Sequence, residues 1–317
     1  MLNILMVGNG QCGNRILDSI NRQAFGSKSR FAKFYAKQQY KSNVQTLAIN
    51  TAVNDLKEMK YTKAKDRIHI PHLHGVGANR NVGRKVFDEN KSQIMRNLDE
   101  RGSFDIAFVI TSASGGTGSS FTPSLIRELK EQNDYPVYAV VVLPFREEGT
   151  LYLQNAAFAL RDIRGSGVDG IILADNQYLK QMGGDVESAY DSINEMIAKR
   201  LLFLLDSLDS EMMMVTDLGD FKTVMSGGAG IATIGYYEAD GEVPIRTAIQ
   251  KAGIIVRKGE YPRVLSVLTL ESASELEELY HLAVGAINTE KEKKERVQED
   301  KEVDKAFSQI EGLEPQY

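Results

Sequence analysis

The chain of 317 residues has a single cysteine, Cys12. An internal disulfide is therefore excluded, and a reducing compartment, the cytoplasm, is expected. No apolar run approaches the roughly 18 residues needed to cross a bilayer. The amino terminus, MLNILMVG, lacks a basic flank and turns to glycine after a short apolar run, so it reads as a first strand and not as a secretory leader. Basic charge is not in excess. The 38 Lys and Arg residues against 43 Asp and Glu give a formal charge of -5, which draws the chain neither to nucleic acid nor to anionic membrane. The G-x-x-x-x-G-K-[ST] loop of the common NTPases is also missing. His69, His72 and His74 fall close together, but only His72 and His74 share a strand face and no cysteine or acid cluster lies near, so no metal site is expected. What is present, 42% hydrophobic and 26% charged residues, is typical of a soluble globular protein large enough for two domains.

Short apolar runs alternate with amphipathic stretches. Leu2 to Val7, Gln45 to Ile49, Ile106 to Thr111, Val137 to Leu143 and Gly170 to Leu173 read as strands. Asn14 to Gln23, Arg84 to Arg101, Pro123 to Gln132 and Leu151 to Arg164 read as helices. This pattern predicts an α/β fold, a mostly parallel sheet with helices on both faces, whose ligands bind beyond the carboxyl ends of the strands. Residues 1–185 are expected to form this domain. A long helical pattern from Glu187 to Leu208 makes 186–210 a central helix. Residues 211–288 read as a smaller α+β domain, with strands at Met212 to Val215, Ile231 to Gly235 and Val264 to Leu270 and a helix from Glu275 to Ile287. Residues 289–317 carry six basic and nine acidic side chains and read as a charged tail helix exposed to solvent.

Three glycine-rich loops follow strands or lead into helices. Gly8-Asn9-Gly10-Gln11-Cys12-Gly13 fits G-x-G-x-x-G, in which glycines let phosphate approach a helix N-terminus. A dinucleotide site would also need an acidic residue about 20 positions on, at the end of the second strand. That strand ends instead at Asn50-Thr51. Gly75 to Gly83 and Ser112 to Ser120 complete the set. Several backbone-exposing loops at one sheet edge make a cradle of N–H groups suited to a polyphosphate without lysine. Thr117, Ser119 and Ser120 are expected to add hydroxyl donors. Cys12 reads as a small packing residue and not as a nucleophile. Arg22 to Lys41 has six basic residues, no acids and five aromatics, and reads as a solvated connection more than a nucleic-acid patch.

Taken in order, these loops resemble those of the tubulin/FtsZ superfamily. Ser114-Gly115-Gly116-Thr117-Gly118-Ser119-Ser120 resembles its G-G-G-T-G-[ST]-G signature. Gly10 to Asn14 looks like the first nucleotide loop of tubulin, and Gly75 to Gly83 is similar to G-x-G-A-N-P-x-x-G. Pro144 to Gly149 resembles P-F-x-x-E-G, Asp175-Asn176 a guanine-reading loop, and Asp217 to Met225 the synergy loop and the helix after it. Ser114 and Ser120 stand where the signature has glycine, Tyr152 where FtsZ has arginine, and Val215 where FtsZ has asparagine.

The resemblance implies a GTPase that polymerises head to tail. Gly10, Gln11, Cys12 and Asn14 would line the first phosphate loop, with Asn50 from the second. Gly77, Ala78 and Asn79 would approach the γ-phosphate, and Gly115, Gly116, Thr117 and Gly118 would hold the β-phosphate. Glu148 would contact the ribose, Asn176 and Asn194 the guanine edge, and Tyr190 would stack on the base. Mg2+ would accompany GTP or GDP. Asp217 and Asp220 would enter the nucleotide pocket of the next subunit as the catalytic acids. The short second domain and charged tail look like the TubZ/PhuZ branch of plasmids and phages. That implies a role in positioning DNA, with a DNA-binding adaptor on the tail and no direct nucleic-acid or membrane contact. The alternatives are an FtsZ/CetZ-like filament for division or shape, and a nucleotide-binding scaffold that does not hydrolyse.

Overall fold

In a computed structural model, the described residues are 2–25, 43–72, 75–176, 186–209, 218–225 and 231–235. The chain divides into two compact units, Met1–Asp209 and Ser210–Tyr317. The first contains strands β1 (Asn3–Asn9), β2 (Asn43–Asn50), β3 (Arg67–His69), β4 (Ile106–Ser112), β5 (Val137–Leu143) and β6 (Gly170–Asp175). Its helices are α1 (Gly10–Phe25), α2 (Val53–Glu58), α3 (Arg80–Asp99), α4 (Gly116–Gln132), α5 (Thr150–Arg164) and α6 (Val186–Asp209).

The six strands are parallel and run in the order β3-β2-β1-β4-β5-β6. Apolar residues such as Ile4, Val7, Phe108, Val109, Ala139 and Val140 are buried because both faces are covered. Given the strand order, the right-handed crossovers general to parallel strands put α1 and α2 on one face and α3, α4 and α5 on the other, in accord with the packing of α2 on α1 and of α4 on α3 and α5. α6 packs on α1, and α4 packs on both α3 and α5. Between α3 and α4 the rings of Phe87 and Phe121 meet edge to face at 5.3 Å. Each such buried ring contributes about 1.5–3 kcal/mol.

The strand register fixes where ligands can bind. Asn9 pairs with both Ile49 and Thr111, Ser112 with Val142, and Leu143 with Asp175. The carboxyl ends of β1, β2, β4, β5 and β6 therefore share one sheet edge. The chain direction across the sheet reverses between β1 and β4, so the loops after these two strands open the crevice at the topological switch point.

The helices begin earlier than their sequence pattern predicts. α1 starts at Gly10 rather than Asn14, α3 at Arg80 rather than Arg84, and α4 at Gly116 rather than Pro123. Some of the glycines that mark these loops, Gly10, Gly13, Gly83, Gly116 and Gly118, belong to the first helical turns. Pro123 lies inside α4, where it cannot donate to the carbonyl of Ser119 four residues back. The Nη2 of Arg80 supplies that hydrogen bond instead, at 3.2 Å. This long-range substitution lets the helix run through a residue that predicts its start.

In the second unit, α7 (Leu218–Met225) buries Phe221 and Met225 and exposes Asp220 and Lys222, and β7 is the short Ile231–Ala232. Most of the basic stretch before β2 lies outside the described residues, as do the expected strands Met212 to Val215 and Val264 to Leu270. The expected helix Glu275 to Ile287 and the charged tail lie outside them as well.

Candidate functional site

Three loops meet at the switch point with almost no room between them. Gly10 has φ +71, and a Cβ there would lie 2.9 Å from the backbone nitrogen of Gly118. A Cβ on Gly13 would lie 2.2 Å from the carbonyl oxygen of Ile110. At Gly116 the corresponding distance to the carbonyl oxygen of Gly77 is 1.5 Å. These glycines are required by the approach of one loop to another. Gly77 and Gly115 differ: a Cβ on either would meet nothing within 4 Å. They face open space beside the N-terminus of α4.

That N-terminus is built to receive negative charge. The first N–H groups of a helix have no partner within it, and the helix dipole adds a positive end. The first turn of the 17-residue α4 carries no acidic side chain. The hydroxyls of Thr117 and Thr51 are 2.7 Å apart, joining this turn to the loop after β2. Ser119 and Ser120 are completely buried, however, and their hydroxyls donate to the carbonyls of Gly115 and Gly116. The expectation that they serve a ligand is therefore corrected: they close the first turn of α4, and the Ser120 side chain fills the space against Gly83.

In the first loop, Gln11 is exposed and Cys12 is half-buried. Burial pushes the Cys12 thiol up to about 12, Arg15 opposing and Glu148 adding to the rise. The thiolate is therefore scarce at neutral pH, in accord with a packing role. Asn14 donates to the carbonyl of Ile49 at 3.2 Å, while its Oδ1 is buried without a hydrogen-bond partner. Asn50 spends both ends of its amide locally, donating to Asp55 and accepting from Ala52 N–H. Asn79 caps α3, its Oδ1 accepting from the N–H groups of Asn81 and Val82. Ala78, beside it, is half-buried.

After β5, the carboxylate of Glu148 folds back to accept from the Phe145 N–H at 2.9 Å. The Tyr190 hydroxyl, on α6, donates to the same oxygen at 3.3 Å, and its ring meets Phe145 edge to face at 5.3 Å. Burial first, then the charge of Glu148, pushes Tyr190 up to about 12, so it stays a donor. Glu148 and Tyr190, expected at opposite ends of a nucleoside, are thus in direct contact. One turn beyond Tyr190, Asn194 is 7% exposed, and Asn176, following β6, is 5% exposed. The Oδ1 of Asn176 is buried without a partner.

Sequence reasoning missed two groups. Asn155 on α5 donates to the carbonyl of Ala78 at 2.9 Å and to that of Ser114 at 3.3 Å. Its only signal in the sequence is an amide on the face that also presents Ala156, Ala159 and Ile163. Arg80, 8% exposed, is ion-paired to Asp162 at 2.6 Å and burial lowers its pKa. Asp220 sits exposed in the first turn of α7, and Asp217 lies outside the described residues. No cluster of three His, Cys, Asp or Glu side chains suited to a metal occurs among the described residues.

A six-stranded parallel sheet with glycine-lined loops gathered at its switch point, one of them opening a helix, defines a nucleotide-binding α/β protein. The chain belongs to the Tubulin/FtsZ family: the sequence profile of that family's GTPase domain matches residues 3–184. It is similar to the tubulin-like protein CetZ of Methanothrix thermoacetophila, 51% identical with all of both chains aligned. The solved structure of CetZ from Methanosaeta thermophila is 47% identical over 98% of each chain, with a TM-score of 0.72. That of CetZ2 from Haloferax volcanii, described as a GTPγS-bound protofilament, is 27% identical over 76% of this chain and 68% of its own, with a TM-score of 0.62. TubZ structures are 20–22% identical, a likeness of fold alone. The expected placement in the TubZ/PhuZ branch is therefore corrected in favour of the CetZ-like alternative. The expected DNA-positioning role and adaptor rested on that placement and go with it.

Proposed function

We propose that this protein is a CetZ-like cytoskeletal GTPase that assembles head to tail in the cytoplasm, each subunit completing the active site of its neighbour. The observation that carries the reading is the paired opening at Gly77 and Gly115 beside the acid-free N-terminus of α4. At both positions the main chain is left open, with no neighbour that a side chain would meet. GTP fits this opening on this chain's own terms. Backbone N–H groups of residues 115–118 would bind the β-phosphate, and the 77–79 loop the γ-phosphate, with no lysine. The unpartnered Oδ1 of Asn176 would accept from the guanine N1–H or amino group, which adenine does not offer in the same arrangement. The unpartnered Oδ1 of Asn14 and the exposed Gln11 would complete the first phosphate loop. Asn50 would contribute by shaping the Thr51–Ala52 turn, since its amide is already engaged.

Glu148 would meet the ribose, held in place by Phe145 and Tyr190, and Tyr190 and Asn194 would flank the base. Mg2+ would arrive with the nucleotide and neutralise phosphate charge. Asp217 and Asp220 of the next subunit would orient and polarise the attacking water. A free subunit would then hold GTP but lack its acids, so hydrolysis would wait for assembly. Support for self-association comes from the relative described as a GTPγS-bound protofilament.

Light scattering with electron microscopy tests this reading. Filaments form with GTP and persist longer with GTPγS, while ATP gives no assembly and does not displace bound GDP. Equal responses to GTP and ATP would contradict the assignment of Asn176 and Asn194 to guanine.

A further inference from the structure

We propose that Asn155 is a positioning residue that sets the gap between the 75–79 loop and the 112–118 loop, and thereby the preference for a nucleoside triphosphate over a diphosphate. The inference rests on the reading of this site as a GTP site and assigns a residue that the family motifs above do not contain. The side chain is 7% exposed, and its Nδ2 reaches the carbonyls of Ala78 at 2.9 Å and Ser114 at 3.3 Å. Both acceptors are backbone oxygens, so the orientation of the amide is fixed and both its hydrogens are committed. A polar group on a buried face costs free energy unless it is satisfied. Alanine, like its neighbours Ala156 and Ala159, would pack there at no such cost. The amide is explained by what it holds: one loop with each hydrogen.

The rest of α5 acts in the same direction. Asp162, two turns further along the same face, binds Arg80 at 2.6 Å and also pairs with Arg84. Residues 78 and 80 are thus both tied to α5. The carbonyl of Gly77, between the two loops, presses on Gly116. The segment facing the γ-phosphate is held by α4 through packing and by α5 through hydrogen bonds. The β-phosphate is served by the N-terminus of α4, whose position depends on α4 itself. Releasing Asn155 therefore frees Ala78 more than it disturbs residues 116–118. The loss falls on the ligand that needs both loops in register.

The test compares GTPγS with GDP, each titrated against the full-length chain by competition with a fluorescent guanine nucleotide. In Asn155→Ala, GTPγS affinity falls about tenfold, the scale of one or two lost hydrogen bonds, while GDP affinity changes less than about threefold. Asn155→Leu keeps about the size and loses both donors without adding charge, and shows the same change in ratio. It is the variant to read if the alanine protein does not fold. A parallel fall for both nucleotides, or no change for either, overturns the positioning role. Failure of the wild-type chain to bind either nucleotide overturns the GTP reading itself, and this inference with it.

Discussion

Replacing Asp217 or Asp220 by alanine slows GTP turnover by about 10²- to 10⁴-fold, leaves nucleotide bound and lengthens the life of filaments. Two acids three residues apart would repel a triphosphate held in their own subunit. Presented to a neighbour's nucleotide, they would act through an intervening water, which keeps the carboxylates off the phosphates. Asp220 lies exposed in the first turn of α7, just ahead of the buried anchors of that helix, Phe221 and Met225. In that position an acid also favours the helix dipole, but that effect is worth only about 0.3–1 kcal/mol. A melting temperature within a few degrees of wild type is therefore expected alongside the large kinetic loss. Asn substitutions separate charge from shape: they keep the size of the side chain and lose the base. Phosphate release assays and filament lifetimes under the microscope decide the matter. Loss of nucleotide binding in either variant would show that these acids serve their own subunit.

The second large effect contrasts adjacent glycines. Gly116→Ala places a methyl group where the carbonyl oxygen of Gly77 would be 1.5 Å away. A backbone atom cannot rotate aside, so the two phosphate loops must part. Overpacking of this kind costs about 1–3 kcal/mol or more, and it opens the gap that Asn155 bridges. The melting temperature falls by several degrees and GTP affinity drops at least about 100-fold. Gly115→Ala meets no atom within 4 Å and keeps an ordinary φ of -72. It leaves the melting temperature unchanged but reduces GTP affinity about tenfold, because the methyl group intrudes on the phosphate space. Calorimetry and nucleotide titration on the pair give both readouts. Equal destabilisation by both substitutions would mean that the open space at Gly115 is not the ligand's.

The two glycines also show what a sequence makes legible. The strands were readable because each is a continuous apolar run, and β5 matches its predicted bounds, Val137 to Leu143. The three glycine loops were readable as backbone-exposing segments. That Gly116 packs on Gly77 while Gly115 faces space is a matter of atoms 39 residues apart, and no local pattern carries it. Helix starts were misplaced for a related reason. Glycine reads as loop until tertiary contacts draw it into a first turn, and Pro123 reads as a beginning until Arg80 replaces its missing amide. Ser119 and Ser120 look like donors for a ligand, but burial leaves helix carbonyls as their acceptors. Asn155 and Asp162 gave almost no signal, since their partners lie on other elements. The branch assignment failed because a short, charged carboxyl-terminal region is a poor guide to branch, whereas the similarity to CetZ extends over the whole chain.

The central claim is that the nucleotide site is complete only between two copies of the chain. The most direct test is phosphate release per subunit measured across a range of protein concentrations in excess GTP. The account predicts negligible turnover below a threshold concentration and a steep rise above it, coincident with the onset of scattering. Turnover per subunit that is constant through that threshold would place every catalytic group within a single chain and contradict it.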